Sequence, residues 1–275
     1  GGELLGKSED LLNLVDEISP DVIVVSLAEM RGAFPSHDLL ECRLRGIAVE
    51  DGPTFYEKQT GKILITGLRP SWLIFSDGFV TTHLTQLVKR VLDVTLAVAG
   101  LAVALPLMGL VALAIRLDSP GPVLFRQRRV GQHGPVFTLY KFRSMRADAE
   151  ARSGAVWASR EDPRVTRVGR ILRRTRLDEL PQLFNVLAGD MSFIGPRPER
   201  PEFVHTLQRQ IPFYMERHSV KPGITGWAQV RHRYAASVED TMEKLQYDLY
   251  YVKNLSPFLD LLILLSTIQV VLLAR

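Results

Sequence analysis

Residues 94–115 read VTLAVAGLAVALPLMGLVALAI, which is 22 residues without one charged side chain. A helix needs about 20 apolar residues to cross the hydrocarbon core of a bilayer. A buried helix of a globular protein is the alternative. The length of the run and the apolar residues on every face disfavour that alternative. The stretch therefore predicts a membrane helix.

Both flanks of this run are basic. The basic residues nearest to it are Lys89, Arg90, Arg116, Arg126, Arg128 and Arg129. Positive charge on both sides gives no preferred orientation across a membrane. Pro106 lies in the middle of the run, where it removes one backbone hydrogen bond and favours a kink. We therefore predict a re-entrant helix-break-helix over residues 81–118, which enters one leaflet, bends at Pro106 and returns.

The first 80 residues have the alternating pattern of an α/β unit. Apolar spacing predicts helices over residues 9–18 and 36–44, and continuous apolar runs predict strands over residues 21–27 and 46–50. We expect a partial doubly wound, Rossmann-like domain over residues 1–80. The segment has no Gly-x-Gly-x-x-Gly motif, so we favour a role in regulation or oligomerisation, including a possible homodimer.

Composition is that of a globular protein, with 46% hydrophobic and 23% charged residues and a net charge of +4. The charge is uneven, because residues 116–176 hold fifteen Arg or Lys against five Asp or Glu. Such a segment favours an anionic partner, which could be nucleic acid, phospholipid or a phosphorylated substrate. The single cysteine, Cys42, excludes an internal disulfide and a multi-cysteine zinc site.

The stretch LRRTRLDELPQL, residues 172–183, places Asp178 and Glu179 after three arginines and before Pro181. Proline is tolerated in the first turn of a helix, so Asp178 is expected at or near a helix N-terminus. Helix N-termini favour phosphate. The functional interpretation is a carboxylate nucleophile or metal ligand in a phosphate-binding pocket. The common alternative for an isolated Asp-Glu pair is a helix cap.

Residues 119–275 predict a mixed α+β, mainly helical domain. Residues 140–146 alternate apolar and basic side chains, which fits either an edge strand with a solvated basic face or a set of phosphate contacts. Proline and glycine predict rigid loops over residues 195–198, which carry Arg197, and over residues 220–227. The apolar segment 257–273 fits either an interfacial membrane helix or a core helix.

Several motifs occur together in one order and spacing. They are YKFRSM at 140–145, LDELPQL at 177–183, GDMSFIGPRP at 189–198, KPGITG at 221–226 and the apolar run with Pro106. Over residues 84–275 this set resembles the bacterial sugar transferases, the monotopic polyprenyl-phosphate phosphoglycosyl transferases. The first 80 residues resemble the CoA-binding-like domain of the large members, and GPTFYEKQTG at 52–61 resembles their exopolysaccharide branch. Large members carry transmembrane helices upstream, so we expect an N-terminally truncated chain.

The resemblance implies a two-step reaction at the cytosolic face of the bacterial inner membrane. Asp178 matches the family's nucleophile, which attacks the β-phosphorus of a UDP-sugar and releases UMP. Undecaprenyl phosphate then takes the sugar 1-phosphate from the aspartyl intermediate. Mg²⁺ is the family's cofactor, and Glu179 matches its ligand. Phosphate-binding candidates are Arg173, Lys141, Arg143 and Arg197.

One position departs from the family pattern, because some members have Ser before the re-entrant proline and this chain has Leu105. Two other functions compete with the transferase. A membrane-anchored nucleic-acid-binding or scaffold protein would use the basic segment, but no nucleic-acid motif accompanies it. A conventional glycosyltransferase would release UDP in place of UMP. The sequence leaves the sugar and the polymer undetermined.

Overall fold

The computed structural model describes residues 10–26, 35–149, 162–232 and 237–272, and the chain divides into two units, Gly1–Leu68 and Arg69–Arg275. The predicted boundary at residue 80 lies inside the second unit. The backbone N–H of Phe79 donates to the carbonyl of Lys253 at 3.0 Å, and the Lys253 ammonium lies 4.3 Å from the centre of the Trp72 ring. These contacts join the residues after Leu68 to the C-terminal unit.

The N-terminal unit contains two parallel strands with helices between and after them. Its elements are α1 (Leu11–Ile18), β1 (Val22–Val25), α2 (Ser36–Leu44), β2 (Ala48–Asp51) and α3 (Gly52–Thr60). Val22 pairs with Ala48 and Val25 with Asp51. The α/β alternation is as predicted, whereas a doubly wound sheet stays a prediction. Leu27, the last residue of the predicted first strand, lies outside the described residues.

The C-terminal unit is mostly helical and has two small sheets. Its elements are α4 (Pro70–Phe75), α5 (His83–Asp118), β3 (Leu124–Val130), β4 (Val136–Phe142), α6 (Arg167–Thr175), a 3-10 turn (Leu177–Glu179), α7 (Gln182–Ala188), β5 (Ser192–Ile194), α8 (Pro201–Gln210), a 3-10 helix (Tyr214–Ser219), β6 (Gly223–Thr225), α9 (Trp227–Arg231), α10 (Val238–Lys253) and α11 (Pro257–Leu272). Strands β3 and β4 form an antiparallel hairpin, and β5 and β6 form a parallel pair.

The apolar run lies in α5, which has 36 residues and is about 54 Å long at 1.5 Å per residue. Within the described part of the chain, α5 is the helix that is long and apolar enough to cross a membrane. Pro106 lies inside this one helical element, and the re-entrant arrangement predicted for residues 81–118 stays a prediction. A proline removes only one backbone donor, and the neighbouring residues can continue the helix on both sides. A bend at this residue stays a prediction.

One face of α5 packs on the rest of the C-terminal unit from Asp93 to Ile115. Its buried residues recur every three or four positions: Asp93, Ala97, Leu101, Ala104, Met108, Val111 and Ile115. Both ends are also tied down by hydrogen bonds. Asp93 Oδ1 accepts from the Ser192 hydroxyl at 2.9 Å, and Asp118 Oδ2 accepts from the backbone N–H of Val168 at 3.1 Å. The two ends of α5 therefore belong to the same folded unit.

The opposite face of α5 is apolar and exposed, and Val103 and Leu110 are 83% and 66% accessible there. The C-terminal helix α11 is divided in the same way. Leu259 and Ile263 are buried in the core, whereas Phe258 and other apolar side chains of α11 are exposed. The sequence fitted either an interfacial membrane helix or a core helix for residues 257–273. In the structure, one face of α11 is buried in the core and the other face is apolar and exposed.

Candidate active site

A sharp turn presents the two adjacent carboxylates. Helix α6 ends at Thr175, and Arg176 adopts a left-handed conformation with a φ of 60°. The 3-10 turn with Asp178 and Glu179 follows, and then α7 begins after Pro181. Asp178 is therefore near a helix N-terminus, as predicted. Its side chain caps no backbone N–H of a described residue, so the helix-cap alternative does not account for it.

Glu179 is bound by two cations. Its Oε1 lies 2.9 Å from the Lys141 ammonium and 2.6 Å from Nη2 of Arg197. Arg176 is farther away, at 3.9 Å. Burial by itself would raise the pKa of Glu179, but the charges and hydrogen bonds of Arg197 and Lys141 together hold that pKa well below its usual range. Glu179 is therefore a fixed negative charge between two positive ones.

Asp178 has the opposite environment, although it is the next residue. It is buried, and its Oδ1 has no hydrogen-bond partner in the described part of the chain. Burial raises the pKa of Asp178, the charge of Lys141 partly offsets the increase, and Glu179 adds to it. Two titratable groups whose environments push their pKa values apart are typical of an active site. This carboxylate retains its lone pairs for a reacting group.

Lys141 reaches Glu179 because strand β4 is fastened to helix α7. The amide of Asn185 donates to the carbonyl of Thr138 at 2.7 Å, and its oxygen accepts from the backbone N–H of Tyr140 at 3.1 Å. Asn185 is completely buried. Burial lowers the pKa of the Lys141 ammonium, and the charge of Glu179 opposes that effect. Asn185 was not predicted from the sequence, and its signal is an amide that, with Gln182, interrupts the apolar residues of α7.

The two predicted rigid loops lie side by side. Strands β5 and β6 pair in parallel, and the backbone N–H of Gly195 donates to the carbonyl of Thr225 at 2.9 Å. A Cβ added to Gly195 would overlap the carbonyl oxygen of Lys221, and one added to Gly223 would overlap the backbone N–H of Gly195. Glycine is required where two backbones approach this closely. The contact fixes the backbone from which Arg197 extends toward Glu179.

Arg143 lies at the end of α5, where it bonds backbone carbonyls. Its guanidinium donates to the carbonyl of Ser119 at 2.7 Å and to that of Pro120 at 2.9 Å. These groups follow the C-terminus of α5, where unpaired carbonyls attract a cation. These bonds hold the Arg143 guanidinium at the end of α5, and its phosphate contact stays a prediction. Among the described residues, none forms a hydrogen bond or ion pair with the Arg173 guanidinium, and its phosphate contact stays a prediction.

The chemistry of Asp178 and Glu179 can be compared with the ligands that the expected Mg²⁺ ion would need. The described residues contain no group of three His, Cys, Asp or Glu that could enclose a metal. Mg²⁺ commonly takes one or two protein carboxylates and completes its ligands with water and substrate phosphates. Asp178, with its unpartnered oxygen, and the ionised Glu179 fit a cation of that kind. They do not form a metal cage of their own.

Comparison with known proteins now defines the class of this site. A family model described as "Bacterial sugar transferase" matches residues 84–274, and the chain belongs to that family. The chain is 47% identical over 234 residues to the UDP-N-acetylgalactosamine-undecaprenyl-phosphate N-acetylgalactosaminephosphotransferase of Aeromonas hydrophila, a match that covers 85% of this chain and 54% of that protein. It is 38% identical over 276 residues to the undecaprenyl-phosphate glucose phosphotransferase of Komagataeibacter xylinus, covering 98% and 52%. The chain spans about half the length of these two relatives.

Proposed function

We propose that this chain transfers a sugar 1-phosphate from a UDP-sugar to undecaprenyl phosphate through a covalent aspartyl intermediate. The observation that carries the proposal is the contrast between the adjacent carboxylates, one bound by two cations and one without a partner in the described structure. A nucleophile must keep a lone pair available, and a group that holds a transferring phosphate in place must be fixed. Asp178 meets the first requirement, and Lys141 and Arg197, both held by Glu179, meet the second.

In the first step, an oxygen of Asp178 attacks the β-phosphorus of the UDP-sugar. The bond from that phosphorus to the bridging oxygen breaks, and its electron pair leaves with UMP. In the second step, a phosphate oxygen of undecaprenyl phosphate attacks the same phosphorus. The bond to Asp178 breaks, and the aspartate carboxylate is restored while the lipid diphosphate sugar departs.

The other residues of the site bind and orient the diphosphate. Lys141 and Arg197 present positive charge beside Glu179, and Arg173 extends from the neighbouring helix α6. Their charges would stabilise the negative charge that develops on the transferring phosphoryl group. Mg²⁺, held by Glu179 together with the substrate, would supply further neutralisation of that charge. The proposal therefore includes a requirement for this cation.

The test is incubation of the purified protein with a UDP-sugar and Mg²⁺ in the absence of a lipid acceptor. The names of the relatives suggest UDP-N-acetylgalactosamine and UDP-glucose as donors. We expect UMP release and a gain in intact mass equal to one phosphosugar. Asp178→Asn should form neither product, whereas the exposed-carboxylate control Asp77→Asn should behave as wild type.

Three outcomes would contradict parts of the proposal. Release of UDP would identify a conventional glycosyltransferase. An adduct that persists in Asp178→Asn would move the nucleophile elsewhere. Full activity after chelation of divalent cations would remove Mg²⁺ from the mechanism. Each result is read from the same reaction, by chromatography of the nucleotide and by mass spectrometry of the protein.

The proposal also places the chain on the cytosolic face of the inner membrane, with α5 inserted into one leaflet. The exposed apolar face of α5, and both of its ends held by one folded unit, support this arrangement. Cysteines introduced at Asp77 and at Arg128 lie on either side of the helix. In sealed membranes both should react with an impermeant thiol reagent from the same side, and labelling from opposite sides would refute the re-entrant arrangement.

A further inference from the structure

The loop that carries Arg197 is held by its carbonyl groups. Pro196 and Pro198 have no N–H, so this part of the backbone offers acceptors and almost no donors. The carbonyl of Arg197 accepts from Nη2 of Arg217 at 2.9 Å. The carbonyl of Pro198 accepts from Nη1 of Arg129 at 2.7 Å. Two consecutive carbonyls are thus each bound by an arginine from a different element.

The carbonyls on either side are bound as well. That of Pro196 accepts from the backbone N–H of Gly223 at 3.0 Å, and that of Glu199 accepts from the backbone N–H of Val130 at 3.0 Å. Four consecutive carbonyls are therefore anchored from strand β6, the 3-10 helix Tyr214–Ser219 and strand β3. A loop held from several directions has little freedom to shift along any of them.

Arg217 is itself fixed. It is 3% exposed, and its Nε and Nη2 donate to Oδ2 of Asp248 at 3.0 and 2.8 Å. Its Nη1 lies 3.2 Å from the hydroxyl of Tyr214. A planar guanidinium with several donors can satisfy a carboxylate and a carbonyl at once, which a lysine ammonium cannot do with the same geometry. Asp248, on α10, thereby sets the direction in which Arg217 meets the loop.

Arg129 is fixed in a similar way. Its Nη2 donates to Oε1 of Gln127 at 2.6 Å, and its Nη1 also lies 3.3 Å from Oε2 of Glu199. It extends from strand β3, whose partner strand β4 carries Lys141. The β3–β4 hairpin therefore helps to position both cations that bind Glu179. It carries Lys141 itself, and its Arg129 bonds the loop that carries Arg197.

We infer that Arg217, held by Asp248, and Arg129 are positioning residues that set the Arg197 guanidinium beside Glu179 for substrate phosphate. Neither arginine is among the groups that bind Glu179, so each acts through the loop backbone, Arg217 at the carbonyl of Arg197 and Arg129 at the carbonyl of Pro198. The inference rests on the proposed function, because it assigns Arg197 to the diphosphate. It adds residues that none of the sequence motifs identified.

The test variant is Arg217→Met/Asp248→Leu, which replaces the buried ion pair by apolar side chains of similar size. Such a replacement commonly preserves folding, whereas removal of one partner alone leaves an uncompensated buried charge. We expect an unchanged Tm and UMP release reduced roughly 100-fold, as for a small displacement of a substrate-binding group. Arg45→Gln/Asp16→Asn is the control, since it removes a 2.7 Å Arg–Asp pair in the N-terminal unit and should leave the rate unchanged.

A double-mutant cycle separates positioning from general stability. If Arg217 acts through Arg197, the double substitution should cause no further loss in an Arg197→Ala background. Independent losses that multiply, or an unchanged rate in the wild-type background, would overturn the inference. If Arg217→Met/Asp248→Leu does not fold, Arg217→Lys replaces it in the same cycle. Lysine keeps a positive charge beside Asp248 but lacks the forked guanidinium that also reaches the Arg197 carbonyl.

Calorimetric titration with the UDP-sugar keeps this inference separable from the proposed function. If the wild-type protein binds the donor without releasing UMP, the proposed reaction is refuted. The double-mutant cycle is then measured with the Kd for the UDP-sugar in place of the rate of UMP release. A rate that falls with the double substitution while the Arg197→Ala background is unaffected supports positioning. A wild-type protein that neither binds the donor nor releases UMP overturns both.

Discussion

The loop around Arg197 and the turn around Asp178 lie on two sides of one candidate site and are held in contrasting ways. The loop has four consecutive carbonyls bound by other elements, and its guanidinium is paired with Glu179. The Asp178 side chain is buried but has no hydrogen bond from a described residue. In the proposed reaction, the groups that would bind substrate are fixed in advance, while the carboxylate that would react is left available.

Among variants that keep Asp178, the largest expected effect comes from removing the negative charge of Glu179 on the fixed side. Glu179→Gln leaves Lys141 and Arg197, which are both partly buried, without their common anion. Loss of one partner of a fully buried ion pair costs about 3–5 kcal/mol of unfolding free energy, and we expect a smaller loss here because solvent reaches both cations. We also expect UMP release to fall by about 10²–10³-fold, as for removal of a preorganised electrostatic group. Denaturant titration and the UMP assay measure the two effects, and a variant with normal values of both would refute the contrast.

An intermediate effect should follow from displacing the loop without touching its side chains. Gly195→Ala would push a Cβ into the Lys221 carbonyl and shift the backbone that leads to Arg197. We expect UMP release to fall roughly 100-fold. The matched control is Gly109→Ala on α5, where an added Cβ meets no atom within 4 Å and alanine favours the helix by about 1 kcal/mol. Equal activity of the two variants would show that the close approach has no role in catalysis.

The smallest effect is a shift in pH dependence. Asp178 must be ionised to attack, and its pKa is raised by burial, so activity should fall on the acid side at a higher pH than an ordinary aspartate would give. Lys141 lowers this pKa. In Lys141→Met the acid limb of the rate should therefore move to still higher pH. A limb that moves to lower pH, or does not move, would mean that Asp178 is not the titrating group.

The free energy of unfolding should also depend on pH, through Glu179, whose pKa is shifted in the opposite direction to that of Asp178. Its pKa in the folded protein is depressed by Arg197 and Lys141, so this carboxylate stabilises the fold above the pKa of the unfolded chain. That contribution decreases as pH falls through the usual glutamate range toward the depressed pKa. The two adjacent carboxylates thus affect activity and stability in different pH windows.

Local signals predicted the parts of the structure that depend on nearby residues. The apolar run gave helix α5, and Pro181 after Asp178 and Glu179 gave the start of α7. The positions of Lys141 and Arg197 at the site came from the family resemblance, and the structure brings both to Glu179. Periodicity and capping chemistry act over a few residues, which explains why these elements were accessible from sequence.

Long-range polar contacts were not accessible in this way. Arg217 meets Asp248 across 31 positions, and Asn185 meets the Thr138 carbonyl across 47. Nothing in the local pattern of either segment indicates its partner. Arg143 shows the same limit, because its basic motif suggested phosphate until the fold brought it to the end of α5. The helix assignment continues through Pro106 because one lost hydrogen bond does not end a helix with tertiary support.

The buried face of α5 has a consequence for handling this protein. Leu101, Met108 and Ile115 share one apolar cluster with Phe142, Leu172 and Leu183 of the same C-terminal unit. A helix that only anchored the protein could be cut away to give a soluble domain. Deletion of α5 would instead expose this cluster and leave an apolar surface prone to aggregation. Preparations of this protein should therefore keep α5 and supply detergent or lipid for its exposed apolar face.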